Sequence, residues 1–199
     1  CRSTGMTSKR FAASQLLLCT CLLGVRQHKM QIRALAPSDA AAFQALRLRS
    51  LQECPESFAS SYEEEVDTPL QEIEKRLQPN AASAVFGAFK GSELCALVGL
   101  QRESMAKLAH KSIIWGVYVA QDTRGRGVGA QIMLHALKYA VTVLGTSQVN
   151  LSVNTKNSAA VSLYKKVGFV EYGLERGYML VGGVLQDEYH MVFHAASAA

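Results

Sequence analysis

Residues 117–130 read Val-Tyr-Val-Ala-Gln-Asp-Thr-Arg-Gly-Arg-Gly-Val-Gly-Ala, and they constrain the fold more than any other stretch of the chain. An apolar run leads into a turn with glycine at every second position, and the turn opens a long helical pattern. Strand, tight turn and helix must therefore follow one another here. Glycine has no Cβ, so this turn can adopt positive φ and let a ligand approach the backbone closely. The first turn of the helix has free N–H groups and the positive end of its dipole, which together favour an anion. Arg124 and Arg126 add full positive charges suited to phosphate. The segment predicts a pyrophosphate site.

Two common pyrophosphate loops do not fit. A nucleoside-triphosphate loop needs Lys-Ser or Lys-Thr after its last glycine, and neither occurs here. A dinucleotide loop needs G-x-G-x-x-G and an acid about twenty residues further on to hold the ribose. Counted from Gly127, the third glycine position is Ile132, and residues 123–170 contain no Asp or Glu. The same acid-free window holds Arg124, Arg126, Lys138, Lys156, Lys165 and Lys166, a set that suits a ligand with several phosphates.

The pattern that fits is [QR]-x-x-G-x-[GA], met by Arg124, Gly127 and Gly129. It resembles the coenzyme A loop of the GNAT (GCN5-related) N-acetyltransferase superfamily. A second block, residues 151–169, resembles the family's later motif: a strand, Asn157-x-x-Ala160, Leu163-Tyr164 and Gly168-Phe169. The resemblance covers residues 30–194. It implies an α/β fold, the acyl-CoA N-acyltransferase fold, with a central mixed, mostly antiparallel sheet flanked by helices. It also implies acetyl-CoA as co-substrate and no metal.

The chain has 199 residues and a formal charge of +5. Residues 1–29 contain five basic residues and no acid, which accounts for the whole excess. The rest balances, so the charge gives no reason to expect nucleic-acid or membrane partners. Within it, residues 53–74 hold eight acids and no Lys or Arg. The apolar run at 16–25 follows Lys9 and Arg10 like a signal peptide, but it lacks a small-x-small cleavage site and is too short to span a bilayer. Residues 1–29 are therefore expected to be a non-structural extension, 30–194 the domain and 195–199 a short tail. Cys54 and Cys95, the two cysteines of the domain, form no ligand motif, and His190 and His194 lie on an expected strand. A reducing, cytoplasmic setting is expected.

Periodicity predicts a first strand at 31–35 and a helix from Pro37 that buries Phe43, Leu46, Leu48 and Leu51. An acidic loop and a helix at 69–77 should follow. A hairpin joins 84–90 to 94–102, and a strand occupies 111–120. Residues 128–144 form a helix that buries Met133, Leu137, Ala140 and Leu144 and ends near Gly145. Val149, Leu151 and Val153 alternate as a strand, and 157–167 is a short helix. Two last strands lie at 169–172 and 184–193.

The resemblance assigns roles residue by residue. The backbone of Val117 and Val119 holds the pantetheine arm, and Gly125, Arg126, Gly127, Val128, Gly129 and Ala130, with Arg124, hold the pyrophosphate. Asn157 bonds the pantetheine amides, although Asn is also a preferred helix N-cap. Tyr164 is the general acid: its phenol is protonated at neutral pH and can donate to a departing thiolate. It lies seven residues beyond Asn157, two helical turns or about 10 Å along one face. The base used by some family members, a glutamate on the fourth strand, falls at Ile113. His110, Glu103 and the acids Glu63, Glu64 and Glu65 are the remaining candidates, besides water. Trp115 and Tyr118 are candidates for the acceptor side. No cysteine stands in a motif for an acyl carrier, so direct attack by an amine is expected. The acidic segment favours a cationic acceptor, and a homodimer is left open. A non-catalytic acyl-CoA-binding or sensor module is the alternative reading.

Overall fold

The computed structural model describes residues 30–195. The extension and most of the tail lie outside the described residues. The chain runs β1 (Met30–Ala34), α1 (Ala40–Glu53), α2 (Tyr62–Glu65), α3 (Leu70–Arg76), β2 (Ser83–Lys90), β3 (Glu93–Arg102), β4 (Lys111–Val119), α4 (Val128–Thr142), β5 (Gln148–Asn154), α5 (Ser158–Lys166), β6 (Val170–Val181) and β7 (Val184–His194). The seven strands form one mixed sheet in the order β1-β2-β3-β4-β5-β7-β6. Its pairs are antiparallel except β4 and β5, which α4 connects as a crossover.

β3 lies inside the sheet, between β2 and β4, and is buried from Leu94 through Leu100, as expected of a strand covered on both faces. α1 packs against it on one side and α4 on the other. The buried side of α4 consists of Val128, Ile132, Met133, Ala136, Leu137 and Ala140. The two alanines, with no exposed surface, let the helix axis approach the sheet. Burying each of the larger side chains stabilises the fold by about 1.5–3 kcal/mol.

Three sequence expectations need correction. On α1, Leu48 is only half-buried; Arg47 and Ser50 take buried places instead, for reasons that belong to the site. The acidic loop is not a plain loop. It contains a 3-10 turn, Pro55–Ser57, and the single-turn helix α2, closed by a reciprocal capping box between Ser61 and Glu64. β6 runs for 12 residues rather than the four expected. Gly173, Gly177 and the charges at Glu171, Glu175 and Arg176 hide its alternation, and two register shifts against β7 break the period of two.

Candidate functional site

β4 and β5 pair at only three positions, Lys111↔Gln148, Ser112↔Val149 and Ile113↔Asn150. Beyond them β4 continues to Val119 and β5 to Asn154 without pairing, so the strands splay. A bulge contributes to the divergence. Between Trp115↔Gly99 and Tyr118↔Leu97, β4 carries two residues where β3 carries one, and Gly116 takes φ +63°. A Cβ at Gly99 would overlap the Trp115 indole, so a glycine on β3 is what seats that ring. The splay opens a cleft of about 610 Å³, lined on the β4 side by residues 114–119 and on the β5 side by residues 151–154. Val117 and Val119 both line it.

At one end the cleft meets the glycine turn. Gly125 and Gly127 have φ of +75° and +76°, in the left-handed region that disfavours side chains. Gly127 is the N-cap of α4, and no side chain caps the helix there. The first-turn N–H groups of Val128, Gly129 and Ala130 therefore need an outside partner, and these residues line the cleft. Gly129 is required for packing as well: a Cβ there would come within 3.0 Å of Leu163 on α5. Lys156 and Lys166 line the same cleft, and Glu56 is the sole acid among its described lining residues. Free N–H groups, a glycine cradle and lysines fit a pyrophosphate.

The two arginines differ. Arg124 lines the cleft but folds back on the protein, donating from Nε to the Val119 carbonyl at 2.8 Å with its guanidinium 5.7 Å from the centre of the Tyr118 ring. Arg126 is exposed and is not among the lining residues.

Asn157 and Tyr164 both face the cleft from α5. The Asn157 side-chain oxygen accepts from the Ala160 N–H at 3.1 Å, which makes it the N-cap of α5. Its Nδ2 donates to Ser57 Oγ at 3.3 Å. Tyr164 is 6 % exposed, and burial alone pushes its hydroxyl well above the usual tyrosine range. The ring packs 6.0 Å from that of Phe169, the aromatic of the Gly-Phe pair.

The opposite rim comes from the segment after α1. Cys54, Ser57 and Phe58 line the cleft, and Asn154 Nδ2 ties the Glu56 carbonyl to β5 at 3.0 Å. Cys54 thus stands in the cleft after all, with Sγ 3.8 Å from Arg124 Nη2. Arg47 is buried because it serves this rim. It forms an ion pair with Glu65 at 2.8 Å and stacks 4.8 Å from the Phe58 ring. Its Nη1, buried without a partner, lies beside the Gly116 bulge.

The candidate acids separate accordingly. Glu65 is bound to Arg47, Glu64 caps α2, and Glu53 accepts from the Tyr118 hydroxyl and pairs with Arg49. Glu63 is exposed on a second hollow formed with residues 178–182 of β6 and its turn. Ile113, Glu103 and His110 do not line the cleft. Trp115 and Tyr118 do. Ser152, Asn154 and Phe58 were not singled out as site residues from sequence. Ser152 had one available signal, since it occupies the solvent-facing position of an alternating strand that leads straight into Asn157.

A family model for the acetyltransferase (GNAT) family matches residues 47–169, more than half of the chain. The chain therefore belongs to the GNAT acetyltransferase family. It is 31% identical over 91 residues to the spermidine N(1)-acetyltransferase of Vibrio cholerae, covering 46% of this chain and 53% of that protein. It is 32% identical over 105 residues to the N-alpha-acetyltransferase RimI of Mycobacterium tuberculosis, covering 53% and 62%. These matches thus span a little over half the length of each curated relative. The fold is that of yncA from Salmonella typhimurium, solved with its cofactor acetyl-CoA: TM-score 0.74 at 17% identity, covering 85% of this chain and 96% of that one.

Proposed function

We propose that this chain is an acetyl-CoA-dependent N-acetyltransferase that transfers acetyl directly to a primary amine. The observation that carries the reading is the continuity of the β4/β5 cleft, which runs from an uncapped glycine-rich helix start to a buried tyrosine. The α4 N-terminus, Lys156 and Lys166 would hold the pyrophosphate. The N–H groups of Val117 and Val119 on the β4 edge that does not pair with β5 would hold the pantetheine arm and polarise the carbonyl, with the free Nδ2 valence of Asn157 bonding an amide. When bound, acetyl-CoA supplies a thioester whose acetyl group an amine can take. Tyr164 would hold its phenolic proton until the sulfur leaves and then donate it. Burial supports that role, because a phenol whose hydroxyl is harder to ionise stays protonated at working pH.

The acceptor is proposed to be cationic, on the strength of Glu63 and the acidic segment around it; spermidine is the acceptor named for one relative. No helix among the described residues is long and apolar enough to cross a membrane. The free thiols of Cys54 and Cys95 suit a reducing compartment such as the cytoplasm. The test is release of CoA thiol from acetyl-CoA against a panel of alkylamines, polyamines, amino acids and peptides, with the product identified by mass. An N-acetylated product is expected, and Cys54→Ser should still form it, since no acyl-cysteine lies on a direct path. Tight acetyl-CoA binding with no transfer to any amine would make the chain a binding module instead.

A further inference from the structure

An alkylamine reaches the enzyme as an ammonium ion, and something must take its proton before it can attack. Neither the loop motif nor Tyr164 does this. Across the sheet face beside the cleft runs a chain of three side chains from three strands. Ser152 on β5 lines the cleft two positions beyond Asn150, the last residue that pairs with β4. Its Oγ is 2.9 Å from His190 Nδ1 on β7. His190 Nε2 is 2.9 Å from Glu175 Oε2 on β6. The strand register accounts for the alignment: Ser152 pairs with His190, and His190 with Gly173, two residues before Glu175.

We propose that His190 is the general base of the transfer, acting through the Ser152 hydroxyl and oriented by Glu175. This deepens the acetyltransferase reading and rests on it. An imidazole with one nitrogen protonated can accept a proton on the other and release it to solvent. The Glu175 carboxylate fixes a proton on Nε2, which leaves the Nδ1 lone pair facing the Ser152 hydroxyl. In the step, Ser152 passes its proton to Nδ1 as it takes one from the ammonium. The freed nitrogen lone pair forms the C–N bond, the C–S bond breaks with its electrons on sulfur, and the Tyr164 proton goes to the thiolate. The second amine proton goes to water, the imidazolium releases its own to solvent, and Tyr164 is reprotonated from there.

The groups that face the ring are Ser152 from β5, Glu175 and the Tyr172 ring from β6, and Glu188 from β7 itself. Glu188 is 5 % exposed with Oε2 buried and without a partner; burial pushes its carboxyl above the usual range, although the neighbouring imidazole opposes this. It does not line the cleft, and the Ser152 hydroxyl beside it favours its ionised form, so Glu188 sits behind the Ser152–His190 pair as a second carboxylate. Glu175 touches no reacting atom and is a positioning residue.

The test compares ethylamine with trifluoroethylamine, which is already neutral at assay pH and needs no base. His190→Gln should lower kcat/KM for ethylamine by about 10²–10⁴-fold and for trifluoroethylamine by less than about tenfold. Acetyl-CoA Kd should be unchanged. The acidic limb of the ethylamine pH profile should disappear. Glu175→Gln should show the same selectivity with a smaller loss and keep that limb. Equal losses on both amines, or a wild-type rate and profile on ethylamine in folded His190→Gln, would overturn the assignment while leaving the transferase reading intact. Failure of the wild type with these and every other amine of the panel would overturn both.

Discussion

Tyr164 is buried on α5 against the ring of Phe169. Its hydroxyl is pushed upward by burial, so the protonated form persists to higher pH than in a free tyrosine. An acid with a raised value is fully available below its ordinary range and is lost only as pH rises past the raised one. The alkaline limb of kcat is thus expected above the ordinary tyrosine range. Tyr164→Phe removes only the donated proton. Turnover should fall by about 10²–10⁴-fold with acetyl-CoA affinity unchanged by calorimetry; wild-type turnover would move the acid elsewhere. Gly127 has a different role. Its surroundings leave room for a Cβ, whose nearest neighbour would be Gln131 at 3.8 Å, but its φ of +76° does not suit one. Gly127→Asp should cost about 1–2 kcal/mol of backbone strain and abolish acetyl-CoA binding through its charge. Gly127→Asn carries similar strain without the charge and should retain measurable binding. Equal affinity in the two variants would mean that no anion sits at this turn.

Among the elements, α1 and α2 illustrate what a sequence hides. The apolar period of α1 pointed to Leu48, whereas Arg47 is the buried residue because Glu65 waits for it on a helix of four residues. Nothing in the local pattern joins positions 18 apart, so the pair could not be read. The capping box of α2 could have been, since Ser61 and Glu64 stand at the required spacing. β4, α4, β5 and α5 were legible because each carries its own period and glycine stops. β6 was not, because its register depends on β7. The Arg47–Glu65 pair yields a prediction. Burial opposes ionisation of Glu65, but the Arg47 hydrogen bonds and charge outweigh it, and the carboxyl is held below the usual range. A lowered folded value means that the stabilisation is complete above the ordinary glutamate range and is lost as pH falls through the folded one. Glu65→Gln should flatten the acid side of the melting-temperature profile. Arg47→Met should cost more, about 3–5 kcal/mol, because it leaves Glu65 half-buried and unpaired. Thermal unfolding of both variants from neutral to acid pH checks this, and identical profiles in wild type and Glu65→Gln would refute it.

Across the whole molecule the charge is polarised, as the composition suggested, but far less of the acid is free than the sequence implied. The end of the cleft at the glycine turn gathers Arg124, Lys156 and Lys166 against a single lining acid, Glu56. Of the acids from the end of α1 onward, Glu53 and Glu65 are ion-paired and Glu64 is a helix cap, so reversing Glu63, Glu64 and Glu65 together would dismantle α2 as well as its field. Counting carboxylates gave the sign of the surface; only their partners show which ones a ligand can meet. Glu63 is the exposed one that lines the hollow against the β6–β7 turn. Glu63→Lys alone is the cleaner experiment. An exposed charge pair is worth up to about 1 kcal/mol, so KM for a polyamine should rise by about two- to fivefold while acetyl-CoA affinity holds. The effect should shrink as added salt shortens the screening length. An ester of an amino acid with an uncharged side chain should show a smaller change, since it carries one cation where a polyamine carries several. If Glu63→Lys leaves polyamine KM unchanged at low salt, the acidic segment is a solvated surface, and the choice of acceptor must come from the cleft itself, between Phe58, Trp115 and Ser152.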